Sequence, residues 1–111
     1  MCMDAKQDLM QRLLAINVGF GKRFPDHRGP FHVMTRLLEE CGELAEQVNH
    51  FEGTGIKRQK LGEPDRAKLA KEVFDVLHCA LSIAQHYGVE QELGAAIERS
   101  YQRLKSEGFI E

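Results

Sequence analysis

Two short acidic stretches carry residue types and spacings that could do chemistry. The first is Glu39-Glu40-Cys41-Gly42-Glu43 and the second is Glu72-Val73-Phe74-Asp75, with 28 residues between Glu43 and Glu72. Glu40 and Glu43 are three residues apart, as are Glu72 and Asp75, and residues three apart on a helix are surface neighbours. Each helix would therefore present two carboxylates side by side, and two such helices brought together would converge up to four. That many anions in one place repel unless a cation sits among them. Oxygen-only donors select a hard divalent ion, with magnesium or manganese the natural choices.

Side-chain direction supports the pairing. Successive helical side chains are separated by about 100°. Relative to Glu40, the residues Leu37, Cys41, Leu44 and Val48 fall in one arc; relative to Glu72, Leu69, Val73, Val76 and Ala80 fall in the same arc. In both helices the carboxylate pair borders an apolar stripe, whereas Glu39 and Glu46 point away from it. Paired glutamates on one helix are more often a solvated face, and it is the second, similarly built pair that favours a metal site. Gly42 costs about 1 kcal/mol relative to alanine inside a helix, which suggests close approach of another group or close helix packing.

The elements that must position these residues read as four helices and no strands. Leu9, Leu13, Ile16 and Phe20 predict an amphipathic helix over about 4–20, weakened and ended by Gly19 and Gly21. Residues 21–30 form a Gly- and Pro-containing loop with Lys22, Arg23, His27 and Arg28, read as solvated. Pro30 suits the first turn of a second helix, over about 31–52, with Val33, Leu37, Leu44, Val48 and Phe51 in one stripe. A main loop over 53–64 is made basic by Lys57, Arg58 and Lys60. Asp65 opens a third helix, over about 65–87, at the end where negative charge is favoured, and Gly88 stops it. A fourth helix over about 90–106 would turn Leu93, Ala96, Ile97, Tyr101 and Leu104 inward. His78, three residues past Asp75, is a weaker candidate for supporting a ligand.

With 111 residues, 42% hydrophobic content and a net charge of −2, the chain reads as one domain, 1–111, with a modest core that association between subunits would help. Nothing in the charge balance points to nucleic acid or a membrane surface, and neither a membrane-length apolar run nor a secretory signal is evident. Cys2, Cys41 and Cys79 are odd in number and lack metal- or redox-type spacing, which suggests a reducing cytoplasm. Cys41 and Cys79 lie in or beside the apolar arcs, where a reduced cysteine acts as a small hydrophobe.

Leu38-Glu39-Glu40-Cys41-Gly42-Glu43-Leu44-Ala45-Glu46 followed by Glu72-Val73-Phe74-Asp75-Val76-Leu77 resembles the MazG-like nucleotide pyrophosphohydrolases, of the all-α nucleoside triphosphate pyrophosphatase superfamily. The resemblance covers roughly residues 31–107 and is specific as a pair of motifs at this separation. It implies an all-α, four-helix unit assembled as a dimer or dimer of dimers. It also implies magnesium-dependent cleavage of a nucleoside triphosphate to the monophosphate and pyrophosphate, with nucleotide-pool house-cleaning one candidate role. Carried over, the metal ligands are Glu40, Glu43, Glu72 and Asp75, with Glu39 assisting through water or a second metal. No protein nucleophile is needed, because metal ions polarise phosphoryl oxygens and acidify a bound water. Either Glu39 or Glu43 is the candidate base. Some family members carry an Asn followed three residues later by Lys near the last helix; here the nearest match is Ser100 and Arg103. Arg103, with Lys57, Arg58 and Lys60, is the candidate set for substrate phosphates, and Lys68, Lys71 and Lys105 add positive charge.

Two rivals stand beside this reading. One is phosphoribosyl-ATP pyrophosphatase of the same superfamily, faintly suggested by Asp75-Val76-Leu77-His78. The other is a non-catalytic helical dimerisation or regulatory module with a residual acidic cluster. A di-iron four-helix protein ranks last, because the position matching the His of its Glu-x-x-His pairs is Asp75.

Overall fold

The structure is a computed structural model and describes residues 9–53 and 62–111. Those residues form four helices and no strand: α1 (Leu9–Arg23), α2 (Pro30–Glu52), α3 (Arg66–Tyr87) and α4 (Glu90–Ser106). The all-α architecture follows from periodicity, and the ends follow from local chemistry. Pro30 stands in the first turn of α2, where its missing N–H costs nothing. Gly53 closes that helix in the left-handed conformation, at φ 74°. The Asp65 side chain accepts a hydrogen bond from the Ala67 N–H at 2.8 Å and so caps α3. Gly88, at φ 65°, ends it. Val89 then donates to the Ala84 carbonyl at 2.9 Å, and α4 begins at once.

α1 departs from the sequence expectation. It does not stop at Gly19 or Gly21 but continues to Arg23, and a Cβ at either glycine would meet nothing within 4 Å. Each glycine costs the helix about 1 kcal/mol of propensity, and docking of the face carrying Leu13, Leu14, Asn17 and Phe20 outweighs it. Lys22 and Arg23 also complement the negative end of the helix dipole.

α3 is the central element. α2 lies along it, α1 packs on another side, and α4 touches it only lightly. Among the described residues, Val33, Cys79, Leu81 and Ala84 are buried and apolar, whereas Asn17, Gln47, His50, Asp75 and His78 are buried and polar. An interior with more buried polar than apolar side chains is poorly explained by packing alone, and polar groups taken out of water need partners.

α4 corrects a second expectation. None of its residues is buried, and the stripe expected to face inward is open, with Ile97 50%, Tyr101 41% and Leu104 43% exposed. The stripe is real, but among the described residues nothing covers Ile97, Tyr101 and Leu104. Among the described residues no helix is long and apolar enough to cross a membrane.

Candidate metal centre

The face that α2 turns to α3 runs through Val33, Leu37, Glu40, Leu44, Gln47 and Phe51, all at least half-buried. Their spacing of four and three residues alternately is that of one helix face. Glu40 therefore sits in the middle of the packed stripe rather than at its border, while Cys41 and Val48 of the expected stripe are exposed. Glu43, one turn on, lies at the exposed edge of the same face. On α3, Glu72 is half-buried and Asp75 buried. Packing of α2 on α3 brings one carboxylate oxygen from each of Glu40, Glu43 and Glu72 within 4.8 Å of one another.

Asp75 stands on the flank of this group. Its negative charge acts on Glu40. Its Oδ2 accepts a hydrogen bond from Lys71 Nζ at 2.7 Å, and its Oδ1 lies 3.5 Å from His78 Nε2. Of the four carboxylates read from the sequence, three converge and the fourth is held beside them by groups on its own helix.

Two observations bear on whether these residues fit a cation. Oε2 of Glu40 and Oε2 of Glu72 are buried with no hydrogen-bond partner. A buried carboxylate oxygen without a donor is costly, and two of them among three convergent carboxylates match the donor set of a hard divalent cation. The Glu40 carboxyl is also raised from 4.5 to about 7, first by burial and then by the negative charges of Asp75, Glu43 and Glu72, with the hydrogen bond to Asp75 adding to it. Glu40 thus registers first its burial and then the neighbouring negative charge, which a cation would offset.

The remaining residues singled out in the sequence are distributed differently. Glu39 is exposed. Arg103 lies in the last turns of α4, 80% exposed, paired with Glu107 at 3.5 Å. Lys57, Arg58 and Lys60 lie outside the described residues, as does Cys2. The expectation of close packing at Gly42 is not met among the described residues, where a Cβ would meet nothing within 4 Å. Cys79 is buried, and burial pushes its thiol up, away from the reactive thiolate; Cys41 is exposed, and both are free thiols.

Sequence reading passed over two residues near the cluster. Arg36 is half-buried one turn before Glu40, and its charge acts on both His78 and Cys79; its place four residues before Glu40 was the available signal. Asn17 is buried on α1 and bonded to His78. Its spacing from Leu13, Leu14 and Phe20 puts it on the docked face, but nothing local tells what that face meets.

The fold and site define an all-α unit with acidic residues converging between two of its helices, and comparison with known proteins assigns its family. The family model described as the MazG nucleotide pyrophosphohydrolase domain matches residues 28–106, so the chain belongs to the MazG family. Over 63 residues, 57% of this chain, it is 38% identical to the uncharacterized protein YpjD of Bacillus subtilis (strain 168). That match spans 54% of the relative, about half its length. No solved structure matches the chain.

Proposed function

We propose that this protein is a divalent-metal-dependent nucleoside triphosphate pyrophosphohydrolase that converts a (d)NTP and water to the (d)NMP and pyrophosphate. The observation that carries the reading is the convergence of Glu40, Glu43 and Glu72 within 4.8 Å, with two buried carboxylate oxygens lacking partners, in a chain of the MazG family. Glu40, Glu43 and Glu72 would hold Mg2+ (or Mn2+), with Asp75 completing the set by turning from Lys71. When bound, the cation polarises phosphoryl oxygens and offsets the charge developing on the departing pyrophosphate.

The chain's own residues do the rest. Oε2 of Glu40 and of Glu72 are shielded from water, which strengthens their hold on a cation. Glu43 reaches both the cluster and solvent, so it is the better placed of the two candidate bases to accept a proton from the attacking water; Glu39 lies outside the group of three. The water oxygen bonds to the α-phosphorus, the bond from that phosphorus to the bridging oxygen breaks, and pyrophosphate leaves with the bridging oxygen. Lys57, Arg58, Lys60 and Arg103 are proposed to meet phosphates, with Arg36 a further cation nearer the cluster.

Assembly is part of the proposal. Leu77 and Ile97 are exposed and line a groove of about 580 Å3 between α1, α3 and α4, and Tyr101 and Leu104 are exposed further along α4. Burying one large apolar side chain contributes about 1.5–3 kcal/mol, so a second copy of the chain covering this face would supply the core that a lone chain lacks, giving a dimer or a dimer of dimers. The free thiols of Cys41 and Cys79 fit a cytoplasmic location.

The test is pyrophosphate release from a panel of canonical and modified nucleoside triphosphates, with and without magnesium, run beside phosphoribosyl-ATP. Monophosphate and pyrophosphate as the primary products support the reading. Diphosphate and free phosphate, or no magnesium-dependent turnover on any substrate, would count against it.

A further inference from the structure

A chain of hydrogen bonds runs from α1 to the flank of the acidic cluster, and each link determines the next. Gln85 Nε2 donates to the Leu14 carbonyl at 3.0 Å, which sets which end of the Gln85 amide is nitrogen and leaves Oε1 as an acceptor. Asn17 Nδ2 donates to Gln85 Oε1 at 2.9 Å and to the His78 carbonyl at 2.8 Å. Both amide protons of Asn17 are then spent, and its Oδ1 is only an acceptor. That oxygen lies 3.2 Å from His78 Nδ1, so Nδ1 carries the hydrogen. Phe20 and Phe74 hold the ring further, with centroids 5.2 and 4.9 Å away. The opposite nitrogen, Nε2, then carries a lone pair and lies 3.5 Å from Asp75 Oδ1, so the two acceptors share no hydrogen bond and the ring limits where that oxygen can go. Asn17, His78 and Asp75 are all at most 9% exposed.

We propose that Asn17 is a positioning residue for the acidic site: it locks the tautomer and ring plane of His78, and His78 in turn confines the Asp75 side chain beside Glu40. This rests on the metal-site reading of the cluster given above. Asn17 lies on α1, outside residues 28–106, so the family match does not include it. The arrangement resembles the outer partners of metal ligands elsewhere, which orient a ligand without touching the ion.

Two measurements on the full chain test it. In the metal-free protein, 15N NMR of His78 is expected to show the Nδ1–H tautomer, and Asn17→Leu to shift it toward Nε2–H. Mn2+ binding, followed by calorimetry, is expected to weaken about 10–100-fold in Asn17→Leu, the usual effect of losing an outer partner. Gln85→Leu, which leaves His78 its acceptor, is expected to bind Mn2+ nearly as wild type does. An Nε2–H tautomer in wild type overturns the proposal without any variant having to fold. A folded Asn17→Leu protein with a lower Tm but wild-type Mn2+ affinity also overturns it, leaving Asn17 as a tie between α1 and α3. Wild-type protein that binds no Mn2+ sinks the metal-site reading itself, and this inference with it.

Discussion

Lys71 Nζ lies 2.7 Å from Asp75 Oδ2, one turn earlier on α3, with the lysine side chain 67% exposed and the carboxylate 11% exposed. A solvated cation is thus bonded to a nearly buried anion at the edge of a cluster of three further carboxylates. The aspartate raises the lysine's proton affinity, mainly through this hydrogen bond, and it also raises that of Glu40. Asp75 is therefore linked to solvent on one side and to the cluster on the other.

Asp75→Asn keeps the shape and removes one negative charge from beside Glu40. Turnover is expected to fall by more than about 100-fold, the upper end of the loss seen when an outer partner of a metal ligand is removed. Without metal, Tm should equal or exceed that of wild type, because the relieved repulsion outweighs a largely solvated ion pair. The magnesium-induced rise in Tm should largely disappear. Thermal unfolding of both proteins with and without magnesium, at one ionic strength, checks all of this. A metal-free variant much less stable than wild type would make Asp75 a structural residue.

Glu40 dictates a pH dependence. Its folded-state carboxyl is raised from 4.5 to about 7, so the folded chain binds this proton more strongly than the unfolded chain does. The contribution is fully present below about pH 4.5. It is lost as pH rises through the window up to about 7, so metal-free stability should decline across that range. Glu40→Gln should flatten the decline. Saturating magnesium should restore stability at neutral pH by mass action, about 2.7 kcal/mol at a hundredfold excess over Kd. Urea titrations at pH 4.5, 6 and 7.5 provide the measurement, and stability of the metal-free wild type that climbs over this range would contradict the assignment.

The open face of α4 sets the assembly prediction. Light scattering should give at least twice the 12.6 kDa chain mass at micromolar concentration. Ile97→Lys combined with Leu104→Lys should shift the population toward monomer and lower Tm, since both side chains would have to be covered in the assembled state. A wild-type monomer would remove the second copy from the proposal.

Lys57, Arg58 and Lys60 lie outside the described residues, and kinetics can test them directly. Changing all three to Gln should raise KM several-fold with a smaller effect on kcat if they bind phosphates in ground and transition state alike. Unchanged kinetics would return them to ordinary solvated side chains.

The sequence by itself determined what is local. The three-residue spacing of Glu40 with Glu43 and of Glu72 with Asp75 needs no partner to put each pair on one helix face, because helix geometry does that. Helical periodicity, Pro30, Gly53, Asp65 and Gly88 likewise act within a turn or two of themselves, and all-α architecture was legible for that reason. The tertiary structure decided everything that depends on what a face meets. Glu40 lies at the centre of the α2–α3 contact and not at its border, because only the packed pair shows which arc of α2 is covered. α1 runs through Gly19 and Gly21 because docking on α3 offsets two poor helix formers. Asn17 reaches His78 across 61 positions of chain, and no periodicity encodes that meeting. The stripe of Ile97, Tyr101 and Leu104 shows the same limit from the other side: amphipathic spacing specifies that a face is to be buried, but not by which surface.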